Sequence, residues 1–258
     1  METSLTGRAA LITGGTRGIG RSIASAFAAA GARVAVNGRD ATVGEVVAKE
    51  LGDGAIFLAG DVTDRAVVDG LVDATVAHFG AIDILVNNAG GATSFAPVAQ
   101  MDDATWQHCM DWNLNSAFWA SRRALVTMIP AGWGRIINMS SVEGKHGKPG
   151  IVQYVTAKHA LGGFTKGLAR EVGGLGITVN AICPGLVITD LVRHQAAQAA
   201  VAAGLTEEAF LAQYAKEAAI GRANTPEEVA AMAALLASAA GAGITGALIS
   251  VDGGTAAY

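Results

Sequence analysis

A tyrosine and a lysine stand four residues apart in the run Tyr154-Val155-Thr156-Ala157-Lys158. Positions four apart share one face of a helix, so we expect the ammonium of Lys158 near the phenol of Tyr154. A phenol has a reference pKa of about 10, and a neighbouring cation is expected to lower the pKa of Tyr154. The pair can then act as a general acid and base, although such a pair is more often a packed ring and a surface charge.

A glycine-rich segment, residues 13–20, follows the first apolar run of the chain. Glycines between a strand and a helix let the backbone approach a pyrophosphate, whose charge the helix N-terminus favours. Glycines can also simply form a turn, but a place in the first strand-turn-helix unit predicts dinucleotide binding. Contacts are expected at Gly14, Thr16, Arg17, Gly18, Ile19 and Gly20.

The second apolar run ends in Asn37-Gly38-Arg39, where an acidic residue would hold the ribose hydroxyls of NAD. Arg39, together with Arg17, can instead pair with the 2′-phosphate of NADP through charge-assisted hydrogen bonds. The sequence therefore favours NADP(H), with NAD(H) as the second candidate. The alternative is that both arginines are solvated surface charges.

Short apolar runs alternate with Ala-rich stretches along the chain, which predicts βαβ units. The unbroken run Ile84-Leu85-Val86 is typical of a strand covered on both faces. Right-handed crossovers then give an α/β fold, a Rossmann-type doubly wound parallel sheet with helices on both faces. We expect one domain over residues 1–258. Thr225-Pro226-Glu227-Glu228 predicts the start of the last helix, with a capping Thr and a first-turn Pro.

Polar residues follow the third and fourth strands, at the sheet edge where ligands bind. Asp61 is expected to accept a hydrogen bond from the adenine amino group, and Asn88, Ala89 and Gly90 are expected to lie against the cofactor. Residues 189–222 are less regular, because Gly204 interrupts an Ala- and Gln-rich stretch. They are either a helical insert that covers the substrate or a surface helical hairpin.

A net charge of -4 gives no broad cationic field, which argues against nucleic acid or a membrane surface as a partner. Cys109 and Cys183 lie far apart without metal-ligand spacing, so we expect reduced thiols, no metal site and a cytoplasmic protein. Residues 229–251 carry no charge and match a membrane span in length. Their glycines divide them into a helix, a turn and a strand.

Six motifs occur in this order along the chain: residues 13–20, residues 87–90, Asn113, Ser141, residues 154–158 and Pro184-Gly185. This order is typical of short-chain dehydrogenases/reductases, and the sequence resembles the single-domain form of that family along nearly its whole length. The resemblance implies that Ser141 holds the substrate oxygen while Tyr154 donates its proton and hydride leaves the nicotinamide. The thirteen-residue spacing to Tyr154 selects Ser141 over Ser140.

The resemblance also implies that Lys158 binds the nicotinamide ribose and that Asn113 fixes a water relaying protons to Lys158. Alternatively, Asn113 is a buried amide that kinks its helix, and Thr189, expected at the carboxamide, merely caps the next helix. Glu143 can be a solvated loop charge instead of a substrate contact. Further cofactor contacts are implied at Val62, Pro184, Gly185, Val187 and Thr189, and substrate contacts at Ser141, Glu143, Gln153, Tyr154 and Leu186.

The sequence resembles 3-oxoacyl-acyl-carrier-protein reductases in general and 3-hydroxybutyrate dehydrogenases in the inserted loop. It also resembles aromatic polyketide ketoreductases in residues 141–147, 158–159 and 185–192. Docking of a carrier protein uses basic side chains, and Gly132 and Leu175 stand at the equivalent positions. We therefore expect NAD(P)(H)-dependent interconversion of a small or medium ketone and a secondary alcohol. Reduction of 3-oxoacyl thioesters or polyketides and oxidation of 3-hydroxy acids are alternatives.

A non-enzymatic dinucleotide-binding scaffold is an alternative from another functional class, because a fold by itself does not imply catalysis. The complete set of Asn113, Ser141, Tyr154 and Lys158 favours an enzyme acting on a small-molecule carbonyl or alcohol. The resemblance also implies a homotetramer. Residues 103–128 and 152–173 are expected at one interface, and the C-terminal strand near another.

Overall fold

The computed structural model describes residues 3–92 and 94–256. Within these ranges, seven parallel strands form one sheet in the order β3-β2-β1-β4-β5-β6-β7. The predicted doubly wound α/β sheet is confirmed. The order reverses between the neighbouring strands β1 and β4, and this point opens a crevice at their carboxyl ends. The strands are β1 (Ala9–Ile12), β2 (Arg33–Gly38), β3 (Ala55–Ala59), β4 (Ile84–Asn87), β5 (Gly134–Met139), β6 (Ile177–Pro184) and β7 (Leu248–Val251).

Helices connect the strands and cover both faces of the sheet. A π-helical turn, Asp111–Asn115, joins two of them. The helices are α1 (Gly18–Ala29), α2 (Ala41–Leu51), α3 (Arg65–Phe79), α4 (Asp103–Met110), α5 (Ser116–Ala131), α6 (Val152–Val172), α7 (Asp190–Ala203), α8 (Glu207–Ala215) and α9 (Pro226–Ala237).

Two hydrophobic layers hold the helices on the sheet. Helices α1, α2 and α9 pack on one face, and α3, α5 and α6 pack on the other. Strand β1 shows why its sequence lacks alternation: Ile12 belongs to the first layer, its neighbour Leu11 to the second, and both are fully buried. Each such side chain contributes roughly 1.5–3 kcal/mol through burial. The two layers therefore fix the positions at which the strands end.

Helix α9 begins where the sequence predicted. The Thr225 hydroxyl accepts from the Glu228 amide at 3.2 Å, and the Glu228 carboxylate accepts from the Thr225 amide at 2.9 Å. The helix ends at Ala237 and the chain returns to the sheet as β7. The uncharged residues 229–251 thus divide into helix, turn and strand, and no helix in the described ranges is long and apolar enough to cross a membrane.

Helices α7 and α8 are inserted between β6 and α9. Thr189 caps α7 through the Val192 amide at 3.3 Å, and Thr206 caps α8 through the Ala209 amide at 3.2 Å. Gly204 ends α7 in the left-handed region with φ of 66°. The two helices share a small hydrophobic cluster of their own, built on Leu186, Ala196 and Leu211.

Candidate active site

A cleft of about 1140 Å³ opens at the carboxyl ends of the strands. Its walls are the glycine turn after β1, the segments after β2 to β6, and the inserted helices α7 and α8. Most residues predicted for the site line this cleft; Asn113 and Gln153 do not. One continuous surface therefore joins the dinucleotide motif to the residues predicted to react.

The glycine turn presents backbone to the cleft. Gly14 and Gly18 have φ of 62° and 54°, in the left-handed region that favours glycine. A Cβ on Gly20 would lie 2.3 Å from the Gly14 carbonyl oxygen, so a side chain does not fit there. No side chain of the described residues caps the N-terminus of α1, whereas Asp40 caps α2 and Asp64 caps α3. The free N–H groups and the helix dipole suit a pyrophosphate.

Asn37, at the end of β2, is a structural residue that the sequence did not single out. It is buried, and its Oδ1 accepts from the Gly14 amide at 3.3 Å. Its Nδ2 donates to the carbonyls of Leu58 and Gly60, each at 3.1 Å. Asn37 thus ties the glycine turn to β3. A polar residue inside a buried strand is the sequence signal that could have identified it.

Arg39 and Arg17 both line the cleft. The Arg39 guanidinium lies 3.7 Å from Asp61 Oδ2, and its side chain is 76% exposed. Burial raises the pKa of the Asp61 carboxyl, but hydrogen bonds from Thr63 and the charge of Arg39 outweigh it, so that pKa is lowered. The Asp61 carboxylate is charged and keeps Arg39 at this end of the cleft.

The segment after β4 is locked onto the glycine turn. Asn88 Nδ2 donates to the carbonyls of Thr13 and Gly14 at 2.9 and 3.1 Å. The Thr13 hydroxyl accepts from the amides of Asn88 and Ala89 at 3.0 and 3.1 Å. These reciprocal bonds hold two predicted cofactor-binding segments against each other at the point where the strand order reverses.

Tyr154 and Lys158 lie on one face of α6, as their spacing predicted. Lys158 Nζ is 5.5 Å from the centre of the Tyr154 ring and donates to the Met139 carbonyl at 2.8 Å. The Ser140 hydroxyl donates to the Lys158 carbonyl at 3.1 Å. Ser140 therefore supports α6, and Ser141, the residue selected by spacing, stands beside Tyr154.

The prediction that Lys158 lowers the pKa of Tyr154 is wrong in this structure. Burial raises the pKa of the Tyr154 hydroxyl, the negative charge of Glu143 raises it further, and the hydrogen bond between Tyr154 and Ser141 opposes them. Burial also lowers the pKa of Lys158 itself, to about 8. The sequence argument counted the nearby cation but omitted desolvation, which acts on both groups. Tyr154 is therefore a protonated phenol at neutral pH.

Glu143 is a buried carboxylate on the cleft wall. It accepts a short hydrogen bond from the Ser141 hydroxyl and another from the Tyr214 hydroxyl at 3.0 Å. Tyr214 belongs to α8, so this bond joins the inserted helices to the segment after β5. The alternative of a solvated loop charge is wrong for Glu143, since neighbouring side chains enclose it.

Asn113 stands in the π-helical turn behind the cleft wall. Its Oδ1 accepts from the Gly91 amide at 2.9 Å, and its Nδ2 donates to the carbonyls of Gly91 and Cys109, each at 3.0 Å. A Cβ on Gly90 would lie 2.6 Å from Asn113 Oδ1 and 3.1 Å from Lys158 Nζ, so these groups meet at Gly90. The structure matches the buried amide of the alternative; the water relay stays a prediction.

The sequence predicts Gln153 as a substrate contact, but the structure does not place it on the cleft wall. It is fully buried, and its Nε2 donates to the Ser94 carbonyl at 2.9 Å instead of facing the cleft. The residue before Tyr154 points to another side of α6, since successive helical positions turn by about 100°. Leu186 does line the cleft, and Thr189 both caps α7 and lines the cleft.

Helices α7 and α8 contribute cleft residues that the sequence did not identify, among them Gln195, Phe210 and Tyr214. Gln195 Nε2 donates to the Ala92 carbonyl at 2.5 Å, which attaches α7 to the segment after β4. An aromatic residue in an Ala-rich helix was the available signal for Tyr214. No group of three or more metal-ligating side chains occurs in the described part of the chain.

Comparisons with known proteins match this geometry. Residues 8–200 match the model of the short chain dehydrogenase family. The chain is 37% identical to a 3-oxoacyl-acyl-carrier-protein reductase of Chlamydia muridarum, covering 99% of this chain and all of the relative. It is 38% identical to a D-beta-hydroxybutyrate dehydrogenase of Cupriavidus necator, covering 97% and 98%.

A solved structure of a variant actinorhodin polyketide ketoreductase with NADPH superposes with a TM-score of 0.93 at 33% identity, covering 100% of this chain and 99% of that one. The fold agrees with that of this ketoreductase. The chain belongs to the short-chain dehydrogenase/reductase family and is an oxidoreductase that acts on alcohol and ketone groups with a nicotinamide cofactor.

Proposed function

We propose that the protein interconverts a small or medium ketone and the corresponding secondary alcohol, with Tyr154 as the acid and base. The observation that carries the proposal is the meeting of Ser141, Tyr154 and Lys158 on one wall of the cleft. A reduced nicotinamide dinucleotide, with its pyrophosphate held by the glycine turn, would supply the hydride for the carbonyl carbon.

Tyr154 gives its phenolic proton to the carbonyl oxygen during reduction, and Ser141 hydrogen-bonds the same oxygen. The raised pKa of Tyr154 keeps this proton in place at neutral pH. Lys158, with a pKa of about 8, stays protonated there and offers positive charge to the phenolate that forms. In oxidation the same groups work in reverse, so Tyr154 accepts the proton of the alcohol.

NADP(H) is the proposed cofactor. Arg39 is exposed at the mouth of the cleft and Arg17 lies on the same wall, so both can reach a 2′-phosphate. Arg39→Ala should weaken NADPH binding about tenfold and leave NADH binding within about threefold, as measured by dinucleotide titration. Arg65→Ala, which removes an exposed arginine at the start of α3, is the control. Equal losses for both dinucleotides would contradict the assignment.

Reduction of 3-oxoacyl thioesters is the second candidate, favoured by the name of the Chlamydia relative. At the two positions where basic docking side chains are expected, this chain has Gly132 and Leu175, which is 44% exposed. Neither carries charge. We therefore rank free ketones above carrier-bound substrates.

The proposal is tested by consumption of NADPH and NADH with aliphatic and aryl ketones, β-keto esters and 3-oxoacyl thioesters, and by reduction of NADP⁺ and NAD⁺ with 3-hydroxy acids. Turnover of free ketones above thioesters is expected. If the protein preferred thioesters or 3-hydroxy acids, its activity would instead be thioester reduction or 3-hydroxy acid oxidation. Dinucleotide binding without turnover of any substrate would support a non-enzymatic scaffold instead.

Helices α7 and α8 are proposed as the substrate cover within a single domain over residues 1–258, because they line the cleft that contains Tyr154.

A cytoplasmic homotetramer is also proposed. Exposed apolar residues on α5, namely Phe118, Val126 and Ile129, support an interface there. Light scattering after size-exclusion chromatography should give four times the chain mass, and a monomer would contradict it.

A further inference from the structure

Glu143 places a negative charge beside the reacting groups. Its side chain is 9% exposed and lines the same cleft wall as Ser141 and Tyr154. A buried carboxylate accepts hydrogen bonds and cannot donate them. Burial is unfavourable for such a group unless donors surround it. The groups that donate to Glu143 therefore indicate which kind of substrate group this part of the cleft can bind.

Both oxygens of Glu143 are bound by side chains that face the cleft. Oε2 accepts from Ser141, and Oε1 accepts from Tyr214 at 3.0 Å. Lys148 Nζ lies 3.8 Å from Oε1 and 3.6 Å from the centre of the Tyr214 ring. Because the Lys148 side chain is 34% exposed, solvent screens its charge in part. Glu143 is therefore a hydrogen-bond acceptor on the cleft wall whose charge Lys148 offsets only in part.

Ser141 has a single hydroxyl proton, and it points to Glu143. While that bond exists, Ser141 cannot donate to a substrate carbonyl. A substrate group that donates to Glu143 in place of Ser141 releases the proton for the carbonyl oxygen. A substrate carboxylate has no such donor and meets a like charge in a partly desolvated site.

We propose that Glu143 selects ketones and alcohols that carry a hydroxyl group on the carbon next to the reacting carbon, and disfavours those in which that neighbouring carbon is a carboxylate. The inference rests on the proposed ketone and alcohol activity and names the substrate class. In reduction, the substrate hydroxyl donates to Glu143 and Ser141 donates to the carbonyl oxygen. The carbonyl carbon gains hydride from the nicotinamide, which is oxidised, and the oxygen gains the proton of Tyr154.

Three ethyl ketones that differ in one substituent test the proposal with the wild-type protein. They are 1-hydroxy-2-butanone, 3-pentanone, in which a methyl replaces the hydroxyl, and 2-oxobutanoate, in which a carboxylate stands next to the carbonyl. The kcat/KM should be about tenfold or more higher for the hydroxyketone than for 3-pentanone, and lowest for 2-oxobutanoate. If the substrate panel favours aryl ketones, the matching phenyl series replaces the ethyl series: 2-hydroxyacetophenone, propiophenone and phenylglyoxylate.

Glu143→Gln keeps the size of the side chain and removes its charge. The preference for the hydroxyketone over 3-pentanone should fall to within about threefold, and 2-oxobutanoate should gain about tenfold relative to 3-pentanone. Glu208→Gln is the matched control, because it removes an exposed charge on α8 away from the cleft. Dinucleotide titration of each variant checks that the cofactor site is intact.

Two results overturn the inference while the proposed function stands: turnover of 3-pentanone by the wild type at least as fast as of the hydroxyketone, or an undiminished preference for the hydroxyketone over 3-pentanone in Glu143→Gln. If Glu143→Gln does not fold, the wild-type order alone decides. A protein that binds dinucleotide and reduces no ketone of either series overturns the proposed function and this inference with it.

Discussion

The two walls of the cleft are built in opposite ways. The sheet wall, which comprises the glycine turn and the segments after β4 and β5, rests on two hydrophobic layers. The insert wall, α7 and α8, has a small cluster with three buried residues, Leu186, Ala196 and Leu211. Gln195 and Tyr214 connect it to the sheet wall through hydrogen bonds to Ala92 and Glu143.

This difference indicates that the two walls have different functions. Groups on the sheet wall are held by buried hydrogen bonds, as for Lys158 on the Met139 carbonyl, which suits residues that must meet reacting atoms with little freedom. The insert wall buries few side chains, and Val201 and Leu205 are exposed on it, so local opening costs less free energy there. We therefore expect the chemistry, with the substrate choice proposed for Glu143, on the first wall and substrate entry at the second.

The largest effect is expected on the sheet wall, at Tyr154. Tyr154→Phe removes the transferred proton while keeping the ring, so kcat/KM should fall by about 10³-fold or more. Dinucleotide affinity should stay within about threefold. Steady-state ketone reduction and a dinucleotide titration check both statements. Turnover close to that of the wild type would remove Tyr154 from the chemistry and break the comparison.

A second test adds one methyl group to the glycine turn. Gly20→Ala places a Cβ 2.3 Å from the Gly14 carbonyl oxygen and 2.5 Å from Asn88 Nδ2, a contact with backbone that cannot move cheaply. We expect a loss of about 1–3 kcal/mol in unfolding free energy and at least tenfold weaker dinucleotide binding. Denaturant titration and dinucleotide titration measure the two effects.

Gly70→Ala is the control for this substitution. Gly70 lies inside α3 with open space where its Cβ would be, so alanine should stabilise the protein by about 0.5–1 kcal/mol. If Gly20→Ala, like Gly70→Ala, did not lower the unfolding free energy, the glycine turn would be packed more loosely than the structure indicates.

Sequence reasoning succeeded where local rules decide the structure. The alternation of strands and helices, the capping box of Thr225 and Glu228, and the shared helix face of Tyr154 and Lys158 each depend on residues within a few positions. Such features follow from spacing and residue type alone.

Sequence reasoning failed where distant residues meet. Tyr214 donates to Glu143 although 71 positions separate them in the chain, and local residue spacing does not predict that hydrogen bond. The sign of the pKa shift of Tyr154 was wrong for the same reason, since desolvation depends on everything packed around the ring. Gln153 faces Ser94 because of how α6 is rotated on the sheet, which its neighbours in sequence do not fix.

The titration of Lys158 gives a third, smaller effect on the sheet wall. Burial lowers its pKa from 10.5 to about 8, so the ammonium is lost as pH rises through about 8, while the raised pKa of Tyr154 leaves the phenol protonated. The kcat/KM of reduction should fall up to tenfold per pH unit above about 8. Lys158→Arg stays charged, so its kcat/KM should not decrease above about pH 8. A decrease at the same pH in that variant would mean that another group causes it.

The same shift predicts a stability effect with a defined sign. The folded pKa lies below the unfolded value of 10.5, so between about pH 8 and 10.5 the unfolded chain binds more protons at Lys158. The contribution of Lys158 to the unfolding free energy is therefore unfavourable below about pH 8 and is relieved as pH rises toward 10.5. Lys158→Met should raise the unfolding free energy at pH 7 more than at pH 10, as measured by denaturant titration.

The smallest effect is expected on the insert wall. Tyr214→Phe keeps the ring of α8 and removes the hydrogen bond to Glu143, so α8 should open more often while the sheet wall is unchanged. We expect KM to rise about threefold to tenfold, kcat to change less than about twofold, and hydrogen exchange to quicken in α8 but not in α6. A fall in kcat with unchanged exchange in α8 would mean that Tyr214 acts on Ser141 through Glu143, and the insert wall would then share in the chemistry.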